Sequence, residues 1–122
     1  MTRQELSNIR DLTFSQWIRN NLPDSSKGLM VSDLDFILQN YKTKVLMLLE
    51  IKTRNAELKT WQKSLFKKLS RWIKNGIDKD WNYLGFHIIK FENTFFNDGK
   101  CWLDNKVVSE SELKDILSAF LE

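Results

Sequence analysis

Apolar positions recur with two different periods along this chain of 122 residues. Between residues 56 and 75, Leu58, Trp61, Leu65, Phe66, Leu69, Trp72 and Ile73 return at three- and four-residue steps, which predicts one long amphipathic helix. LMVSDLDFIL at 29–38 and KVLMLLEIK at 44–52 are instead short apolar runs suited to strands, joined by QNYKTK as a hairpin or an adjacent pair. GFHIIKFE at 85–92 and KCWL at 100–103 predict further strands, the second following an NDG turn. Thr2 with Glu5, Thr13 with Gln16 and Ser109 with Glu112 fit the capping box, so short helices are expected near 3–11, 14–21 and 110–121. PDSSKG at 23–28 predicts a loop. The resulting order of helices and strands is an α/β or α+β layout.

Composition narrows the class. With 42% hydrophobic and 29% charged residues, the chain fits one compact domain over 1–122. A single cysteine, Cys101, excludes an internal disulfide and suits a reducing compartment. Residues 1–25 lack the apolar core of a signal peptide and no later run is long enough to span a membrane, so a soluble cytoplasmic protein is expected. The net charge of +3 is unevenly spread: residues 52–79 hold nine Lys or Arg against two acids, a local +7 that permits a polyanionic partner. Lys59, Lys63, Lys67, Arg71 and Lys74 project to the side of the helix away from its apolar stripe, where most basic faces are simply solvated. Gln62 projects inside the stripe, where its amide needs a hydrogen-bond partner such as a strand backbone.

The chemistry concentrates where the second apolar run turns polar, at Glu50-Ile51-Lys52. Side chains two apart on a strand share a face, so Glu50 and Lys52 point the same way. If the preceding strand is a neighbour, Asp33 and Asp35 bring further carboxylates to them. Such a cluster is repulsive without a cation, and hard oxygen donors of this kind suit magnesium. The alternative is a strand-end ion pair, with Asp33 or Asp35 capping a turn. His87 is a lone histidine on a strand and Trp81 and Tyr83 lie in a loop-like segment; structural roles are expected for all three, with proton shuttling or base stacking as alternatives.

SDLDFIL, in which Asp35 precedes Phe36-Ile37-Leu38, and EIK, with fourteen residues between Asp35 and Glu50, together resemble the signature of the PD-(D/E)xK nuclease superfamily. That superfamily includes archaeal Holliday-junction resolvases and small phage nucleases. The resemblance implies an α/β, restriction-endonuclease-like fold, a central mixed sheet flanked by helices, with its core over residues 3–91 and LMV at 29–31 as the first strand. It implies that Asp35, Glu50 and the Ile51 carbonyl hold Mg²⁺, with Mn²⁺ able to substitute, and that Lys52 positions the hydrolytic water. Gln62 occupies the place of a helix glutamine found in many members, and Glu5 or Asp33 is a possible additional ligand. Leu34 stands where the name-giving pattern has proline. DNA is the implied partner, approached through Arg54, Lys42, Lys44 and Lys59 at the strand ends while the basic helix face is turned from Glu50. A homodimer acting on branched or junction DNA is expected, in the host cytoplasm if phage-encoded. A catalytically inactive nucleic-acid-binding or interaction module that keeps the fold is the alternative.

Overall fold

The computed structural model describes residues 13–122. The predicted helix near 3–11 and Glu5 lie outside the described residues. Two compact units divide the chain after Ser32. In the first, helix α1 spans Thr13–Asn21, with Phe14 and Trp17 stacked at 5.5 Å. Beyond Pro23, the Asp24 side chain accepts from the Ser26 N–H to start a 3₁₀ turn, Ser25–Lys27, and Gly28 ends it at φ 95°. The predicted loop is therefore a capped turn.

The second unit, Asp33–Glu122, is an α/β arrangement around a five-stranded mixed sheet. Its elements are β1 (Phe36–Asn40), β2 (Val45–Lys52), α2 (Thr60–Gly76), β3 (Asn82–Phe91), β4 (Cys101–Leu103), β5 (Lys106–Val108) and α3 (Glu110–Leu121). Spatial order follows chain order; β2 and β3 are parallel, connected through α2, and every other pair is antiparallel. Between β1 and β2 the Asn40 side chain accepts from the N–H groups of Lys42 and Thr43, while Lys44 closes the turn at φ 60°. The amide of Asn40 also donates to the Leu121 carbonyl, tying that turn to the end of α3. Ser109 and Glu112 form the predicted capping box at the start of α3.

Two sheet faces with different partners follow from strand alternation. On one, Met47 and Leu49 of β2 join Ile89, Phe91, Cys101, Val108 and Leu113 of α3 in the buried core, with Phe36 and Leu38 packed against them. On the other, Leu48, Glu50 and Lys52 stand beside Phe86, Ile88 and Lys90 of β3, and α2 covers part of this face by stacking Phe66 on Phe86 at 4.7 Å.

Three expectations are corrected. Only residues 36–40 of the first apolar run form a strand; 29–34, including LMV, pair with no strand, and Met30 and Val31 are exposed. Helix α2 begins at Thr60 rather than near 56, because Arg54 and Asn55, both at positive φ, turn the chain off the sheet after β2. Within α2, Leu58 just before the helix and Phe66 are buried, whereas Trp72 is 56% exposed. Trp72 lies on one margin of the apolar stripe and Phe66 on the other. The helix is rolled onto the Phe66 side, where Ser70 reaches the Tyr83 hydroxyl at 2.8 Å.

Candidate active site

Strand pairing brings Asp35 and Glu50 together. Phe36 pairs with Leu49, so Asp35, one residue before β1, comes opposite Glu50 near the end of β2. The two carboxylates are held reciprocally: Glu50 Oε1 accepts from the Asp35 N–H at 3.1 Å, and Asp35 Oδ2 accepts from the Ile51 N–H at 2.8 Å. Each acid is thus aimed by the other strand's backbone, which fixes both without a further side chain. Glu50 is 3% exposed, whereas Asp35 is open to solvent. Lys52 follows on the same face, its Nζ 3.9 Å from Glu50 Oε2.

Burial first, and then the Asp35 carboxyl beside it, push Glu50 from 4.5 up to about 7; the Asp35 N–H and the Lys52 ammonium pull the other way without compensating. An apolar strand end with one buried acid facing another is electrostatically unfavourable on its own. The arrangement is suited to sharing a positive charge between two carboxylates.

The remaining predicted residues divide by place. Asp33 is exposed and lies ahead of β1; among the described residues no group of three or more His, Cys, Asp or Glu side chains is arranged around a metal position. The Ile51 N–H is engaged by Asp35, and Ile51 itself pairs with Ile89. Gln62 caps its own helix, its Oε1 accepting from the Lys59 N–H at 3.1 Å, in place of the expected strand backbone. Arg54 lies two residues beyond Lys52, its N–H donating to the Asn93 carbonyl. Lys42 and Lys44 are in the turn at the opposite end of β2, about 20 Å along the strand from Glu50, and Lys44 is paired with Asp80 at 2.6 Å. They do not flank the site. His87 is on the α3 face, its Nδ1 2.6 Å from Asp104 Oδ2 and its Nε2 2.7 Å from the Leu84 carbonyl, away from Glu50.

Two features beside the site escape sequence reasoning. Asp104 and Asn105, both at positive φ, make a two-residue turn between β4 and β5. That turn, together with the roll of α2, encloses a cavity of about 140 Å³ lined by Lys52, Glu57, Lys63, Lys90 and Asn105 among others. Lys63, expected on the solvated far side of the helix, therefore faces the same region as Lys52. The Asp-Asn pair before a short β-branched run is the signal for this hairpin; the cavity has no local signal, because its walls come from separate elements.

Among the described residues no helix is long and apolar enough to cross a membrane. No family model matches the chain, and no solved structure matches it. An uncharacterized protein of Archaeoglobus fulgidus is 32% identical over 78 residues, which cover 63% of this chain and 54% of that protein. The chain spans about half the length of this relative.

Proposed function

We propose that this chain is a divalent-metal-dependent deoxyribonuclease with a restriction-endonuclease-like core, and that Asp35, Glu50 and Lys52 form its active site. The observation that carries the proposal is the reciprocal clasp of Asp35 and Glu50 across adjacent strands, with Lys52 on the same face as Glu50. The donor set fits Mg²⁺ or Mn²⁺: the buried Glu50 carboxyl is turned toward a second carboxyl, and a cation between them would offset both the burial and the Asp35 carboxyl that raise its affinity for a proton. Asp35 and Glu50, with the Ile51 carbonyl, would hold the ion. When bound, it supplies charge stabilisation for the phosphodiester and lowers the pKa of water.

The protein's own groups do the rest. Glu50 must be deprotonated to act as a ligand, and its buried position keeps its geometry fixed once it is. Lys52, whose ammonium lies 3.9 Å from Glu50 Oε2, would orient the attacking water and donate hydrogen bonds to the phosphoryl oxygens, offsetting negative charge as the phosphorus–oxygen bond to the leaving group breaks. The attacking water would give up its proton to solvent as its oxygen bonds to phosphorus, and the leaving oxygen would take a proton from solvent. A homodimer acting on branched DNA, in the cytoplasm, completes the proposal.

A second reading, a silent binding module that retains the fold, is favoured by one observation: Gln62 is engaged in the cap of its own helix. Purified protein with Mg²⁺, offered linear, nicked, flapped and four-way DNA, separates the two. The proposed function predicts cleavage of at least one branched substrate, lost in Asp35→Asn. Binding with no cleavage of any of them supports the silent module.

A further inference from the structure

We infer that the cavity beside Lys52 is a phosphate-binding subsite for the DNA strand, and that Glu57 is a resident carboxylate that occupies it until DNA displaces it. The inference rests on the nuclease reading for the identity of the strand and shares Lys52 with the proposed active site, whereas Glu57, Lys63 and Lys90 lie outside that site.

Three lysines, Lys52, Lys63 and Lys90, line this one cavity of about 140 Å³. In the parallel register Lys52 is the partner of Lys90, so two lysines stand side by side on adjacent strands of the same face. Like charges placed directly across a ladder destabilise a sheet unless an anion lies between or above them. Two acids reach the cavity. Asp104 is already committed, accepting from the Ile88 N–H and facing the His87 ring. Glu57 is the one that answers the lysines, forming a salt bridge with Lys90.

Glu57 is poorly placed to be a permanent structural partner. Its side chain is 64% exposed while that of Lys90 is 19% exposed, so the cation is fixed in the sheet and the anion arrives from a surface segment between Arg54 and α2. Lys90, through a hydrogen bond and then its charge, holds the Glu57 carboxyl below the usual carboxylate range, and Lys63 adds to the effect. Because the Glu57 carboxylate is largely open to water, it returns to full solvation on leaving Lys90, so a competing anion displaces it. A phosphodiester is such an anion. A neighbouring groove along α2 shares Lys63 and Asn105 with the cavity and adds Lys67, over a floor that includes Phe66 and Phe86.

The test measures equilibrium binding of a short duplex DNA against salt concentration in EDTA, where cleavage does not compete, for wild type, Glu57→Gln and Lys63→Ala. Both positions are exposed, so both variants should fold. Freed of its competitor, Glu57→Gln should bind more tightly and steepen the slope of log affinity against log salt by up to about 0.9; Lys63→Ala should bind more weakly and lose about the same. Unchanged affinity and slope in both variants, or no binding by wild type, overturns the subsite. Mg²⁺-dependent cleavage by wild type in the first of those cases leaves the nuclease reading standing while the subsite falls. The expected slopes without cleavage of any branched or linear DNA do the reverse.

Discussion

The two faces of β2 differ more than any two surfaces of this unit. Under α3, Met47 and Leu49 are sealed into an apolar core. One residue out of phase, Leu48 gives way to Glu50 and then Lys52, and α2 covers only part of that face. A fully packed face supplies stability and register, and register is what delivers Asp35 to Glu50, since slipping β1 by one residue would reverse every side chain. The apolar face is thus the mechanical support for the polar one, while the polar face carries an electrostatic conflict that the fold alone leaves in place.

The largest separation of the two faces should appear in catalysis. Lys52→Ala is expected to raise the barrier to hydrolysis by about 3–4 kcal/mol while DNA still binds, as for the loss of other preorganised donors to a developing charge. Single-turnover rates with saturating protein and Mg²⁺ measure it, and an unchanged rate would make Lys52 a bystander. On the opposite face, Met47→Ala should cost about 2–5 kcal/mol of folding stability by denaturant unfolding, because Met47 is completely buried.

Glu50 should behave in the contrary sense. Its folded value of about 7 lies above its ordinary 4.5, so between these the folded chain keeps a proton that the unfolded chain has released. The associated stability is fully present below pH 4.5 and is lost as pH rises through 7. Glu50→Gln should therefore be more stable than metal-free wild type above pH 7, by up to about 2–3 kcal/mol, and the difference should vanish near pH 4. A variant less stable than wild type at pH 8 would show Glu50 to be a structural ion-pair member. The smallest effect is local: Ser109→Ala removes the cap of α3 and should cost about 1 kcal/mol without touching cleavage.

Which parts were legible in the sequence follows from the same comparison. The EIK end of β2 stands out because a charged residue ends an apolar strand, and a period of two is enough to put Glu50 and Lys52 on one face. The hairpin before β2 and the cap of α3 are equally local. Residues 29–34 mislead because apolar character marks a strand only where pairing is available, and among the described residues Met30 and Val31 lie in no strand. The phase of α2 on the sheet is also hidden. Periodicity defines a stripe but not which margin of it meets the sheet, so Trp72 is exposed and Lys63 faces Lys52's cavity. Gln62 reads as a polar intruder in that stripe, yet its partner is the Lys59 backbone N–H, three residues before it in the same helix start.

The claim that the Asp35–Glu50 pair is a cation site is tested most directly by thermal unfolding at pH 8 across a Mg²⁺ titration, at constant ionic strength, for wild type, Asp35→Asn and Glu50→Gln. A ligand that binds only the folded state raises Tm in proportion to the logarithm of its excess over Kd. The account predicts that the Tm of wild type climbs with Mg²⁺ while both variants, each folded, stay flat. A flat wild-type curve, or three curves rising in parallel, would contradict it.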